Sequence, residues 1–154
     1  MLCGVRGRPT TRDRMTLLHH NIWAFLADPS EFGWDDLVRH GITVWDGITN
    51  AQAQRYLAQC ASGDVVLIYH TAPDKALVGL ARVASAPRRE ARHEHHVVVD
   101  VEPVKPLGRR IPLAELKSDE VLRDLPFVKM PRVAVQPLTN HQLLRVLEVS
   151  GTSR

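Results

Sequence analysis

The sequence predicts one domain of the α+β class, in which short helices flank a strongly curved mixed β-sheet or small barrel. Strand-like apolar segments alternate with short helix-like segments along the chain, and turn residues separate them. The segment from Val65 to His70 is apolar almost throughout, which is typical of a strand that is buried on both faces. The 154 residues, 44% of them apolar, are enough for one core of ordinary density.

The first predicted elements are a strand and a short helix. The strand runs from Asn21 to Leu26 and ends at Asp28-Pro29, because proline disfavours continued ladder pairing. The helix runs from Trp34 to His40, with acidic residues in its first turn and Gly41 after its last.

A second strand, from Ile42 to Trp45, leads into a tight Asp46-Gly47 turn and a second helix. Asn50 is placed to cap that helix. Four residues at helical spacing form its core side: Ala53, Tyr56, Leu57 and Cys60.

The second half of the chain is predicted to contain four more strands. These are Val65 to His70, Ala76 to Ala84, Val97 to Val104, and a brief strand from Val133 to Val135 that ends before Pro137. Gly79 interrupts one of them, and we expect it to let another backbone or a ligand come close. Residues 87–96 are predicted to form an exposed, charged loop.

Helices complete the predicted elements. The stretch 111–125 favours one or two short helices, with Pro112 at their start. Thr139 and Gln142 form a capping box for the last helix. Its apolar stripe is predicted to consist of Leu143, Leu144 and Leu147, and it ends before Gly151.

The net charge of +3 arises in residues 1–14, which contain four arginines and one aspartate. The remaining chain has 16 basic and 16 acidic residues, so the overall basicity is no evidence for a polyanionic partner. We interpret residues 1–14 as a disordered basic tail or a misassigned start, with Met15 as the alternative start. Residues 15–150 are the predicted single domain, and residues 151–154 are a short tail.

Composition also bears on the compartment. No run of about 18 apolar residues is present, so we expect no membrane span, and the first residues lack the apolar core of a secretory signal. We expect no disulfide between Cys3 in the tail and Cys60 on a core-facing helix. We therefore expect a cytoplasmic protein, and a monomer.

Trp45 and Asn50 are the first candidate binding residues. An aromatic plane beside the free N–H groups of a helix start suits a planar polar ligand such as a nucleobase. Each residue also has a structural interpretation, since a Trp at a strand end is commonly a core residue and an Asn at a helix start is commonly a cap.

The charged segment 87–96 has two interpretations. His93, Glu94, His95 and His96 resemble a metal site, but no further ligands have suitable spacing, so we predict no metal and a solvated loop. Its arginines, Arg88, Arg89 and Arg92, are candidates for phosphate contacts that carry no sequence information.

Signals for catalysis are weak. The chain contains no nucleophile elbow, P-loop, Rossmann glycine pattern or His-Glu-x-x-His motif, and none of these cofactor or metal sites is predicted. His70, Tyr69 and Asp28 are the side chains available for acid–base cleavage of a phosphodiester.

Six segments, in order, resemble the EVE domain, a branch of the PUA-like fold that includes the YTH readers and the thymocyte nuclear protein. They are WAFLADP at 23–29, WDGITN at 45–50, GDVVLIYHT at 63–71, LVGLARV at 77–83, IPLAELK at 111–117 and VAVQPL at 133–138. The resemblance implies a PUA-like curved barrel with a pocket for a modified base that is extruded or single-stranded. It places Trp45, Asn50, Tyr69, His70, Val135 and Gln136 at that pocket.

Two positions depart from the family pattern. Ala27-Asp28-Pro29 stands where Ser-Glu-Pro is usual, and Thr49 stands where Arg is usual, so the polar reach into the pocket is reduced. The expected function is non-catalytic binding of a modified nucleobase in DNA or RNA, without a cofactor, with the base stacked on Trp45. The alternatives are a small RNA-processing hydrolase that uses His70 and a protein-interaction domain with a vestigial pocket.

Overall fold

The computed structural model describes residues 20–153, so the tail at 1–14 and the alternative start at Met15 lie outside the described residues. Seven strands are described: β1 (Ile22–Ala27), β2 (Thr43–Trp45), β3 (Val65–His70), β4 (Ala76–Val83), β5 (Arg88–Glu90), β6 (His93–Pro112) and β7 (Val135–Leu138). The helices are α1 (Trp34–His40), α2 (Ala51–Leu57), α3 (Leu113–Ser118), a 3₁₀ turn (Leu122–Asp124), α4 (Pro126–Lys129) and α5 (Asn140–Ser150).

The strands form one curved mixed sheet in the order β2-β6-β4-β3-β1-β7, with β5 paired to β6. The β1–β3 pair is parallel and the other pairs are antiparallel. β6 is 20 residues long, and its register against β4 shifts twice. Such bulges bend a strand and increase its twist, which curls the sheet into a half-barrel. The predicted α+β fold with a curved sheet and short flanking helices is confirmed.

Both faces of the sheet are covered. Trp23, Phe25 and Ala27 of β1 belong to a core beneath α1 and α2. Ile22, Ala24 and Leu26 alternate with them and belong to a second core beneath α3, α4 and α5.

Gly79 allows an indole ring to approach the sheet. A Cβ added there would lie 2.4 Å from Cε3 and Cζ3 of Trp34. The expectation of a close approach was correct, but the approaching group is a helix side chain and neither a backbone nor a ligand. Trp34 therefore anchors α1 to the centre of β4.

Three other predictions are corrected by tertiary pairing. Residues 87–96, expected to be a loop, form most of the β5–β6 hairpin. The last strand includes Pro137, which is tolerated because β7 is an edge strand. In α5, Leu144 is 48% exposed and Val146 is buried in its place.

The end of the described chain is attached to β6. Gly151 takes a left-handed conformation that ends α5. The backbone N–H of Gly108 donates to Thr152 Oγ1 at 2.9 Å, and Lys105 Nζ donates to the carbonyl of Ser153 at 2.5 Å.

Within residues 20–153, no helix is long and apolar enough to cross a membrane. Cys60 is a buried free thiol, and burial, reinforced by the nearby charge of Asp64, raises its pKa to about 12. The Cys60 thiolate is therefore suppressed at neutral pH.

Replacing Gly79 by alanine should destabilise the fold by about 1 to 3 kcal/mol, because the new methyl group overlaps the Trp34 ring. Urea denaturation followed by circular dichroism measures the change. Another glycine such as Gly47 cannot serve as the control, because its positive φ makes alanine strained there. Ala58→Gly, at an exposed position, serves instead as a mild backbone control. A Gly79→Ala protein as stable as the wild type would contradict this packing.

Asp119 gives the fold a specific dependence on acid. Arg145 donates to its carboxylate at 2.7 Å, and these hydrogen bonds, reinforced by the backbone N–H groups of Val121 and Leu122, lower the pKa of Asp119 to about 2. A carboxylate with a lowered folded-state pKa stabilises the fold above its unfolded pKa, and this stabilisation is lost as the pH falls through about 2.

Asp119→Asn should therefore cost about 1 to 2 kcal/mol in mildly acidic or neutral solution, after allowance for solvent screening of Arg145. The difference in unfolding free energy from the wild type should shrink as the pH approaches 2. Urea titrations over this range measure it, with Asp124→Asn as the control. A difference that is independent of pH would contradict the assignment.

Candidate functional site

A cavity of about 580 Å³ opens where β1 and β2 end. Its wall comes from the end of β1, the turn that follows, β2, the loop after β2, and one residue before β7. The lining residues are Leu26, Ala27, Asp28, Glu31, Phe32, Thr43, Val44, Trp45, Asp46, Gly47, Ile48 and Ala134. Of the predicted site residues, Ala27, Asp28 and Trp45 meet here.

The turn after β1 is held by Asp28. The backbone N–H and the hydroxyl of Ser30 both donate to Asp28 Oδ1, at 2.9 and 2.7 Å, and together they lower the pKa of Asp28, the hydroxyl more strongly. Phe32 N–H closes the turn on the Asp28 carbonyl at 2.9 Å. The carboxylate is therefore fixed at the cavity edge and remains exposed to solvent.

Trp45 is both a wall residue and a core residue. Its centroid lies 5.7 Å from that of Phe25 and 6.1 Å from that of Phe32, and Phe32 meets it edge-on. Only 7% of the residue is exposed. Trp45→Ala would therefore remove core packing worth about 3 to 5 kcal/mol, so this variant does not test binding with the fold intact.

The charged residues that line the cavity are all acidic. Asp28, Glu31 and Asp46 line it, all three are exposed, and no lysine or arginine is among the lining residues. Ionised carboxylates only accept hydrogen bonds, so this wall suits a ligand edge that carries N–H donors. Glu31 and Asp46 are not among the residues that the sequence predicts at the site, although both are close in sequence to residues that are.

Asn50 is a helix cap. Its Oδ1 accepts from the N–H of Ala53 at 2.9 Å, as predicted. The loop residues before it, Asp46 to Ile48, form the wall instead, and Asn50 itself is not among the lining residues. Its predicted contact with a ligand stays a prediction.

Tyr69 lies on the opposite face of the sheet from Trp45. Its ring packs on Phe127 with centroids 4.5 Å apart, and burial raises its pKa. In a strand with one covered face, alternation sends one of two neighbours such as Tyr69 and His70 away from the core. Instead both are buried, because helices cover both faces of this strand.

His70 holds the start of α1. It is 4% exposed, its Nε2 accepts from the backbone N–H of Trp34 at 2.9 Å, and its Nδ1 lies 2.9 Å from Asp74 Oδ2. A backbone N–H only donates, so Nε2 supplies the lone pair and the ring proton on Nδ1 is donated to Asp74. Both ring nitrogens are engaged in the fold, and His70 does not line the cavity.

Val135 and Gln136 face opposite sides of β7. Val135 is buried in the same core as Trp45. Gln136 lies opposite Ala24, a residue of the second core, and its Nε2 donates to the carbonyls of Met130 and Val133 at 2.6 and 2.9 Å. Neither residue lines the cavity. Their neighbour Ala134 does line it, because its carbonyl accepts from Leu26 N–H at 2.8 Å and so holds it at the end of β1.

The predicted phosphate-contacting arginines lie together on the β5–β6 hairpin, and all three are exposed. Arg88 Nη2 is 2.8 Å from Asp100 Oδ1, and Arg89 Nη1 donates to the Glu94 carbonyl at 3.1 Å. Arg92 lies at the turn between the strands. In the same hairpin the His93 and His96 rings are 4.8 Å apart, but within the described chain no group of three or more His, Cys, Asp or Glu side chains is arranged to hold a metal ion.

Comparisons with known proteins agree with the fold. The EVE domain matches residues 21–149, nearly all of the described chain. The chain belongs to the EVE domain family. Thymocyte nuclear protein 1 of Danio rerio is 26% identical over 148 residues, covering 79% of this chain and 64% of that protein, so the chain spans less than two thirds of this curated relative.

Two solved structures illustrate the similarity of this EVE domain to others. Rpa0253 from Rhodopseudomonas palustris has a TM-score of 0.81 and 28% identity, with 85% of this chain and 93% of that chain covered. Human THYN1, solved in complex with DNA that contains 5-methylcytosine, has a TM-score of 0.78 and 23% identity, with 87% and 99% covered. The predicted PUA-like architecture is therefore confirmed.

His70→Ala should destabilise the protein by about 1 to 3 kcal/mol, because the buried N–H of Trp34 loses its acceptor. Chemical denaturation measures the loss. His141→Ala, an exposed position on α5, is the matched control and should change stability by about 0.5 kcal/mol or less. Equal stabilities of the two variants would contradict the structural role of His70.

Proposed function

We propose that this EVE domain binds a modified nucleobase of DNA or RNA, without catalysis, in the cavity beside Trp45. The observation that carries the proposal is the cavity itself, where an aromatic wall and a fixed carboxylate face the same space. Its volume of about 580 Å³ is within the usual range for small-molecule sites. The complex of human THYN1 with DNA that contains 5-methylcytosine supports this class of ligand.

The apolar part of the recognition is assigned to Trp45 and its neighbours. A base stacked on an aromatic side chain contributes about 1 to 3 kcal/mol. Phe25 and Phe32 pack against Trp45 and hold its ring in one orientation, so little side-chain entropy is lost when a base arrives.

Asp28 is assigned to the polar edge of the base. Both Ser30 contacts fall on Oδ1, so Oδ2 is the oxygen available to accept from an exocyclic amine. Cytosine presents such a donor at N4 and adenine at N6. Acidic walls therefore favour these two bases and their modified forms over thymine or uracil, which present a carbonyl oxygen at the equivalent position.

A single-stranded or weakly paired base is the favoured target. Extrusion of a paired base costs a few kcal/mol, comparable to the stacking energy gained. Contacts of Arg88, Arg89 and Arg92 with phosphates remain predictions, and the bonds that Arg88 and Arg89 make within the hairpin would compete with such contacts.

The alternatives receive less support from the geometry. Hydrolysis by His70 requires a ring nitrogen at the substrate, whereas both nitrogens of this buried ring are engaged in hydrogen bonds within the protein. An interaction domain with a vestigial pocket is not favoured either, because the cavity beside Trp45 is open.

Asp28→Asn is the sharpest test of the proposal. Asparagine keeps an oxygen for both Ser30 donors and replaces Oδ2 by an N–H₂ group, so the turn is retained while the acceptor is lost. Affinity for a single-stranded oligonucleotide with one 5-methylcytosine should fall about tenfold, as expected for a lost hydrogen bond to a charged group. Fluorescence anisotropy measures it for DNA and RNA versions.

Asp124→Asn, an exposed position beneath the other face of the sheet, is the control and should bind as the wild type does. The proposal requires wild-type protein to prefer a modified oligonucleotide, with modified adenine tested beside modified cytosine. Equal affinity for modified and plain strands would falsify it.

A further inference from the structure

A second concave site lies beside the base cavity, between α2 and the β5–β6 hairpin. This groove has a volume of about 420 Å³. Its lining residues are Thr49, Ala51, Gln54, Arg55, Ala58, His95, His96 and Val97. The ionisable side chains among them are one arginine and two histidines, and no carboxylate lines the groove.

The groove and the base cavity have opposite electrostatic character. Asp28, Glu31 and Asp46 line the cavity, whereas the groove presents Arg55 and imidazoles. A nucleic acid strand has the matching division, with N–H donors on its bases and negative charge on its phosphates.

One chain segment contributes to the walls of both sites. Ile48 lines the cavity and the next residue, Thr49, lines the groove. A strand whose base enters the cavity and whose backbone follows this segment would therefore meet the groove. The Thr49 hydroxyl adds a donor suited to a phosphate oxygen.

Gln54 fixes this arrangement. Its Nε2 donates to the carbonyls of Ile48 and Val97 at 2.7 and 3.2 Å, and its Oε1 accepts from the N–H of Val97 at 2.8 Å. A single side chain on α2 therefore joins the cavity wall to the hairpin. These three hydrogen bonds hold the loop that lines the cavity and the hairpin that lines the groove against α2.

The charged groups of the groove are available to a ligand. Arg55 is exposed and donates to the neutral side chain of Gln52 at 2.5 Å, so its charge is not neutralised there. His95 Nε2 lies 3.9 Å from Glu94 Oε1, but these side chains are 91% and 78% exposed, and such pairs are weak.

We propose that this groove binds the phosphodiester backbone next to the base held in the cavity, with Arg55 as its principal cation and His95, His96 and Thr49 as further donors. The inference rests on the proposed function and adds a contact surface to it. It moves the main phosphate contact from Arg88 and Arg89, whose guanidinium groups are bonded within the hairpin, to the face of α2.

The double variant Arg55→Gln/His95→Gln tests the groove. Anisotropy titrations with single-stranded DNA, with and without one 5-methylcytosine, are repeated at several salt concentrations. Affinity should fall about three- to tenfold for both strands, and the slope of log affinity against log salt should become shallower by about 0.7 for each lost phosphate contact. The ratio of modified to plain affinity should be unchanged, because the groove contacts the strand's backbone and not the modified group of the base.

Two variants complete the design. Arg123→Gln removes an exposed arginine beneath the other face of the sheet and should leave affinity and slope as in the wild type. Arg88→Gln/Arg89→Gln tests the hairpin arginines. A groove variant with wild-type affinity and salt slope would overturn the inference, as would a slope that changes only in the hairpin variant.

The outcomes also separate the two proposals. If wild-type protein shows no preference for the modified strand but the groove variant still loses salt-dependent affinity, base recognition is wrong and the groove assignment holds. If wild-type protein binds none of the oligonucleotides, both are wrong.

Discussion

The architecture depends on the burial of β1 on both faces. All six of its residues are buried, β3 runs parallel to it on one side, and β7 runs antiparallel on the other. Alternate side chains enter two different cores, so helices must cover both faces of the sheet. After β1 the chain returns to the surface at Asp28. The cavity lies at this point, between the end of β1, the turn that follows it and β2.

Helix α1 connects the cavity to the middle of the sheet. Its first residue, Trp34, rests its ring on Gly79 and gives its backbone N–H to His70. The turn from Asp28 to Phe32 lies directly before this helix, so its position follows from the anchoring of Trp34. In the sequence His70 is a candidate acid–base residue with Tyr69 and Asp28, whereas in the fold it hydrogen-bonds Asp74 and holds the start of α1. The same residue type serves structure here because both ring nitrogens are needed for hydrogen bonds.

The distribution of charge matters more than its sum. Beyond residues 1–14 the sequence is formally neutral, and neutrality gave no evidence for a nucleic acid partner. The fold sorts these charges, with carboxylates along the cavity beside Trp45 and Arg55 in the neighbouring groove. Gln54 holds the boundary between them. Such sorting is invisible in composition because it arises from residues on α2 and on a hairpin some 40 positions later in the chain.

The sequence by itself determined the local structure. The bounds of α1, the strand Val65–His70, the Asn50 cap and the Thr139–Gln142 capping box follow from hydrogen bonds and periodicities within a few residues. The resemblance of six ordered segments also located Trp45 and Asp28 near one site. Tertiary structure alone decided that Trp45 is largely buried, that Tyr69 and Gln136 face the second core, and that Trp34 covers Gly79. These outcomes depend on which distant elements pack together, and short-range pattern carries no information about such contacts.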